Sequence, residues 1–259
     1  MSYEDILLQT DEQHVGSITL NRADQLNTFT SRMAAELHRA LEELDAAPQV
    51  RVITIKGAGK AFCAGIDINE LENKTPLQYK AWIEHMEKPL VAISRLSKPV
   101  IAMVQGVAAA NGMGLAVAAD LTIAAENAKM GLTAINVGLN CVGPVLPVAR
   151  VVGRKKALEL LLYGDLVKAP EAMAMGLINR IVPKEELEQE TQQWATALAG
   201  KSPVAVQIAK KAFYGSEDMG YLQQFDYMND AFARLCTTQD AKEGVAAFLE
   251  KRRPVWKEC

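Results

Sequence analysis

Three short apolar runs, Val50–Lys56, Val100–Val104 and Leu121–Ala124, alternate with helical stretches, and this alternation constrains the fold more than any other feature. The runs are rich in β-branched residues and too short for helices, so they read as buried strands. Between them lie helices over about Pro76 to Leu96 and Gly112–Ala119. Strand, helix, strand, helix, strand implies α/β layers.

Both flanks extend the pattern. Ile6–Leu8 and Ser17–Leu20 bracket the polar turn Asp11–Gly16, as in a hairpin. Thr30 is placed to cap a helix reaching Ala46, with Met33, Leu37, Leu41 and Leu44 on one face. Beyond Pro144 the chain reads as helical over Val145–Val151, Lys155–Tyr163, Ala169–Met175, Lys184–Ala199, Pro203–Tyr214, Met219–Leu235 and Thr238–Leu249. One strand, Leu177–Val182, interrupts it. No repeat and no Pro-, Gly- or Ser-rich linker divides the chain. We therefore expect one continuous fold, with a core over 1–195 and a C-terminal helical region over 196–259.

With 49% apolar residues among 259, the chain has enough to fill such a core. Its net charge of −3 argues against a nucleic acid partner. No run reaches the roughly 20 apolar residues of a membrane span. The acidic start MSYEDILLQTDE lacks the features of a signal or transit peptide, so we expect a cytoplasmic protein. Cys63, Cys141, Cys236 and Cys259 form no CxxC pair, and the three histidines are dispersed, so no metal site or disulfide framework is expected.

Two segments place glycine and small residues at strand-to-helix junctions: residues 60–68, KAFCAGIDI, and residues 105–114, QGVAAANGMG. Small side chains let a ligand approach the main chain. A helix starting there offers unpaired N–H groups and the positive end of its dipole. Two such junctions aimed at one point would make an oxyanion hole. The alternative is a pair of turns that only permit tight packing.

These segments resemble the two oxyanion-hole segments of the crotonase (enoyl-CoA hydratase/isomerase) superfamily. The resemblance continues through GRKKALELLLYGDLVKAPEAMAMGLINRIVP to EGVAAFLEKRRPVW and spans nearly the whole chain. It implies a spiral of ββα units with a helical C-terminal region, assembled as a homotrimer or dimer of trimers. It also implies an acyl-CoA thioester as substrate, in fatty acid metabolism, with no metal or cofactor. The oxyanion donors would be the backbone N–H groups of Ile66 and Asn111. Ala64, Asp67, Ile68, Asn69 and Ala134 would border the substrate. Phe248 and Lys251 would touch CoA, often from a neighbouring subunit. Against this, Phe248 also suits a core position, Lys251 a solvated basic run, and Asp67 a helix cap.

The chain departs from the family where hydratases carry two glutamates. Those positions are Gly114 and Ala134, so hydration by paired carboxylates is not expected. Some isomerases of the family place an aspartate later on the loop, where this chain has Cys141 or Val142. The INVGL–C pattern most resembles the enoyl-CoA hydratase domain-containing protein 3 subgroup. Cys141 is a candidate nucleophile or base if its pKa is lowered, and otherwise a small buried apolar residue. Asn140 and Asn136 are candidates to orient water, and His85 is a remote candidate base. Three functions remain: a hydratase or isomerase working through an enolate, a thioester hydrolase or decarboxylase, and a non-catalytic acyl-CoA-binding protein.

Overall fold

The computed structural model describes residues 3–71 and 73–258. Strands β1 (Ile6–Thr10) and β2 (Val15–Leu20) form the expected antiparallel hairpin, with Ile6 opposite Leu20. Helix α1 (Ser31–Ala46) starts where Thr30 caps it, its side chain accepting from the Met33 N–H at 3.0 Å. The four predicted apolar positions of α1 are all buried. Strand β3 (Val52–Gly57) then pairs parallel with β2.

Helix α2 (Pro76–Ile93) begins with a capping box of Thr75 and Gln78 and ends a turn earlier than its composition implies. Strand β4 (Val100–Val104) follows, then β5 (Val107–Ala109) and α3 (Asn111–Ala118). Strands β6 (Leu121–Ala125) and β7 (Lys129–Gly131) lead into α4 (Val145–Tyr163). Gly153, at φ 74° and ψ 167°, breaks α4 into the two helices expected from sequence. After β8 (Val167–Lys168), α5 (Ala169–Ala174) and β9 (Arg180–Val182) come α6 (Leu187–Ala199), α7 (Pro203–Ser216), α8 (Tyr221–Cys236) and α9 (Gln239–Leu249).

The larger sheet has the order β1-β2-β3-β4-β6-β9, parallel beyond its first pair. The smaller has the order β5-β7-β8. Successive units give one strand to each sheet and then a helix: β4, β5, α3, then β6, β7, α4. This is the expected ββα spiral. Sequence reasoning missed β5, β7 and β8, which are two or three residues long and too short to show a period.

The larger sheet is buried on both faces, as parallel strands require. Ile18, Leu20, Ile53 and Ile55 face α1 to α3, while Val15, Val52, Ile101 and Ile123 meet Leu187, Ala195 and Ala199 of α6. Helix α7 is tied in by Lys210, whose ammonium lies 2.6 Å from Asp120 and 2.8 Å from the Lys98 carbonyl oxygen. Asp120 also accepts from the Tyr214 hydroxyl and the Val100 N–H.

Candidate active site

The chain leaving β3 turns back and runs beside β5. The Cys63 N–H donates to the Val107 oxygen at 3.1 Å, and the Ala109 N–H donates to the Cys63 oxygen at 2.9 Å. Two glycines make this approach possible. A β-carbon at Gly112 would stand 2.1 Å from the Cys63 oxygen, and Gly65 holds φ +105° against Ala110. Ala110 itself sits at φ 49°, ψ −115° just before α3, a strained turn of the kind that concentrates at functional sites.

This geometry frees two donors. Phe29 pairs with both neighbours of Ile66, donating to the Gly65 oxygen and accepting from the Asp67 N–H, both at 2.8 Å. In a parallel bridge the spanned residue turns its own N–H and C=O the other way, so the Ile66 amide points away from Phe29. Asn111 is the first residue of α3, whose N–H has no acceptor within the helix. Among the described residues, neither the Ile66 nor the Asn111 N–H donates to a protein acceptor. The Asn111 side chain is 3% exposed and its Nδ2 also lacks a partner. Unpaired buried donors are costly unless something accepts from them. Adjacent segments that present them, at the positive end of α3, suit an electron-rich oxygen.

The other expected residues fall into three groups. Asp67, Ile68 and Asn69 continue from Ile66. Asp67 caps the short 3-10 turn Ile68–Glu70 through the Asn69 N–H and pairs with Arg22 at 3.1 Å. Burial alone would raise its pKa, but the Asn69 amide and Arg22 outweigh that and hold the carboxyl below its usual range. Ala64 donates its N–H to the Leu26 oxygen, and Ile68 and Asn69 are exposed.

Gly114, Ala134, Asn140 and Cys141 belong to α3 and the loop before α4. Cys141 is 3% exposed, and burial pushes its thiol up despite a backbone hydrogen bond from Ala134, opposite to activation. Cys63 is pushed up to about 12 by burial. Asn140 is exposed, whereas Asn136 ties its loop to the Gly164 oxygen at 3.0 Å. His85 lies 2.8 Å from the Ser31 oxygen. Met86 and Leu132 are core, while Ile135 and Val142 are exposed.

Phe248 and Lys251 form the third group, at the end of α9. Phe248 is 82% exposed, which removes it from the core of this chain. Lys251 is also exposed and holds φ 55°.

Sequence reasoning passed over Glu87 of α2. Its carboxylate covers Gly143 so closely that a β-carbon there would meet Oε1 at 1.6 Å. Glu87 has no hydrogen bond or ion pair among the described residues. Burial, and then the charge of Glu84, push its pKa above the ordinary carboxylate range. The only sequence signal was a glutamate between the buried Met86 and Leu90, opposite a loop containing glycine.

Two stacked sheets wound as a ββα spiral, with two glycine-built loops presenting unpaired amides, define a mixed α/β protein of the crotonase class. The Enoyl-CoA hydratase/isomerase family matches residues 10–259, and this chain belongs to that family. A putative enoyl-CoA hydratase of Thermus thermophilus is 36% identical over 96% of this chain and 99% of its own length. Human enoyl-CoA hydratase domain-containing protein 3, a mitochondrial protein, is 33% identical over 93% of this chain and 80% of its own. The crystal structure of that human protein superposes with a TM-score of 0.93 at 31% identity, covering 98% of this chain and all of that one. An enoyl-CoA hydratase from Mycobacterium smegmatis reaches 0.94 at 35% identity, covering 98% and 99%. The subgroup resemblance seen in the sequence is thereby supported.

Proposed function

We propose that this chain binds an acyl-CoA thioester and holds its carbonyl oxygen on the Ile66 and Asn111 amides while that oxygen takes enolate charge. The observation that carries this reading is the pair of N–H groups without protein acceptors, on segments that lie side by side. Two preorganised donors in a water-poor site stabilise developing charge strongly, and loss of one such donor typically costs about 100- to 1,000-fold in rate. No metal or cofactor is required, since the CoA thioester is itself the substrate.

Ala64, Asp67, Ile68, Asn69 and Ala134 border the thioester and its pantetheine in this reading. Phe248 and Lys251 meet CoA across a subunit boundary in a homotrimer or dimer of trimers, with residues 196–259 serving assembly and CoA contacts. The exposed Val245, Phe248 and Leu249 on the last turns of α9 support a covered face there. Among the described residues no helix is long and apolar enough to cross a membrane.

The reaction is not two-carboxylate hydration, because Gly114 and Ala134 carry no acid or base. That same absence favours a second reading, a non-catalytic acyl-CoA binder. A hydrolase or decarboxylase would instead release free CoA or carbon dioxide. Infrared spectra of carbonyl-labelled crotonyl-CoA test the central claim. On binding, the thioester C=O stretch should move to lower wavenumber; an unshifted band from fully bound ligand would overturn it. Turnover assays with crotonyl-, 3-enoyl- and hydroxyacyl-CoA separate enzyme from binder.

A further inference from the structure

We propose that Glu87 is the proton-transferring residue of this site, taking the α-proton of the bound acyl thioester and returning it. This rests on the acyl-CoA reading above.

Position is the first argument. A β-carbon at Gly114 would meet Leu90 Cδ2 at 2.9 Å and Pro144 Cβ at 2.8 Å. Glu87 lies one turn before Leu90 on α2 and covers Gly143, the neighbour of Pro144. Gly114 lies three residues after Asn111 on α3, a rise of about 4.5 Å. The carboxylate thus lies against Gly143, the residue before the Pro144 that packs on Gly114, on the side of α3 that starts with the Asn111 donor. It comes from a different helix, and Gly143 leaves the room it occupies.

Availability is the second. Other carboxylates are committed to the fold: Glu70 accepts from Ser31 and Trp82, Asp45 from Ser97 and Lys98, and Asp67 pairs with Arg22. Glu87 is half-buried and has no such partner among the described residues. The charged group acting on it is Glu84 of the same helix; the loop it covers at Gly143 carries one titratable side chain over residues 132–144, the Cys141 thiol, itself pushed up by burial. A carboxyl raised toward neutral pH is a better proton carrier than an ordinary one.

The step balances with one group. The Cα–H bond breaks, its proton goes to a Glu87 oxygen, and its electron pair becomes the enolate, with charge on the oxygen held by the two amides. Returning the proton to Cα gives exchange. Delivering it to Cγ of a 3-enoyl thioester gives the 2-enoyl isomer. Neither route needs the second carboxylate of a hydratase, nor any oxidant.

The test is deuterium uptake at Cα of butyryl-CoA in heavy water, read by mass spectrometry beside calorimetric binding of the same thioester. Wild type should exchange. E87Q should bind butyryl-CoA as wild type does and exchange at least about 100-fold more slowly, with partial recovery in E87D. G143A, whose methyl displaces the carboxylate, should also slow exchange, and serves if E87Q fails to fold. Wild-type exchange rates should rise with pH to a plateau above the ordinary carboxylate range, a profile absent in E87Q. Bound butyryl-CoA that wild type does not exchange, or exchange undiminished in folded E87Q, overturns the assignment. Failure of wild type to bind butyryl-CoA sinks the acyl-CoA reading beneath it.

Discussion

Pro144 stands directly against Gly114: a β-carbon on Gly114 would lie 2.8 Å from the Pro144 Cβ and 3.0 Å from its Cα. The space beside Gly114 is filled by Pro144 and by the Leu90 side chain.

Gly114→Glu should therefore not restore hydration. Its side chain must move Pro144 and Leu90, and overpacking of this kind costs about 1–3 kcal/mol. Urea unfolding and a crotonyl-CoA hydration assay check both halves; a stable, hydrating variant would show that the loop yields freely.

Gly112→Ala should be more damaging than its single methyl implies. The new carbon meets the Cys63 oxygen at 2.1 Å, a backbone atom that cannot rotate away. The segments bearing Ile66 and Asn111 must separate, at the upper end of about 1–3 kcal/mol. Unfolding curves and butyryl-CoA affinity should fall together.

Lys210→Met should destabilise by about 3–5 kcal/mol, the usual result of stranding one partner of a buried ion pair. Among the described residues, Asp120 would keep the Tyr214 hydroxyl and the Val100 N–H as donors. Thermal unfolding measures the loss, which should shrink in the double variant K210M/D120N.

Acid should loosen the C-terminal segment. Glu243 is held at about 2 by Arg252 and the Val255 N–H. A carboxyl depressed on folding adds stability above its unfolded pKa, near 4.5, and loses it as pH falls through the folded value. Trp256, which donates to the Gly200 oxygen, should report the release by its fluorescence between about pH 4.5 and 2. Glu243→Gln should remove that pH dependence.

Glu87→Gln should leave thermal stability unchanged or raised at neutral pH. The raised pKa means that the charged form is disfavoured in the fold, so removing the charge relieves it. A marked drop in the unfolding midpoint would mean that Glu87 is structural.

Residues with strong local signals were legible in advance. Thr30 capped its helix, the hairpin paired as its alternation implied, and Gly153 split α4 where two helices had been expected. The loops bearing Ile66 and Asn111 were legible through their small residues and family resemblance. Strands β5, β7 and β8 were not, because pairs and triplets such as Val167–Lys168 form strands only when a neighbour supplies the ladder. Cys141 shows a different limit: its spacing placed it near the site, but burial determines its protonation.

By itself, the sequence determined the alternation of layers, the helix starts and the family, because each depends on residues close together along the chain. The tertiary structure alone decided which amides lack acceptors, that Pro144 closes over Gly114, and that Glu87 faces Gly143 across 56 positions of chain. Those relationships join residues far apart in sequence through packing. Packing depends on the whole arrangement of volumes, not on any local pattern.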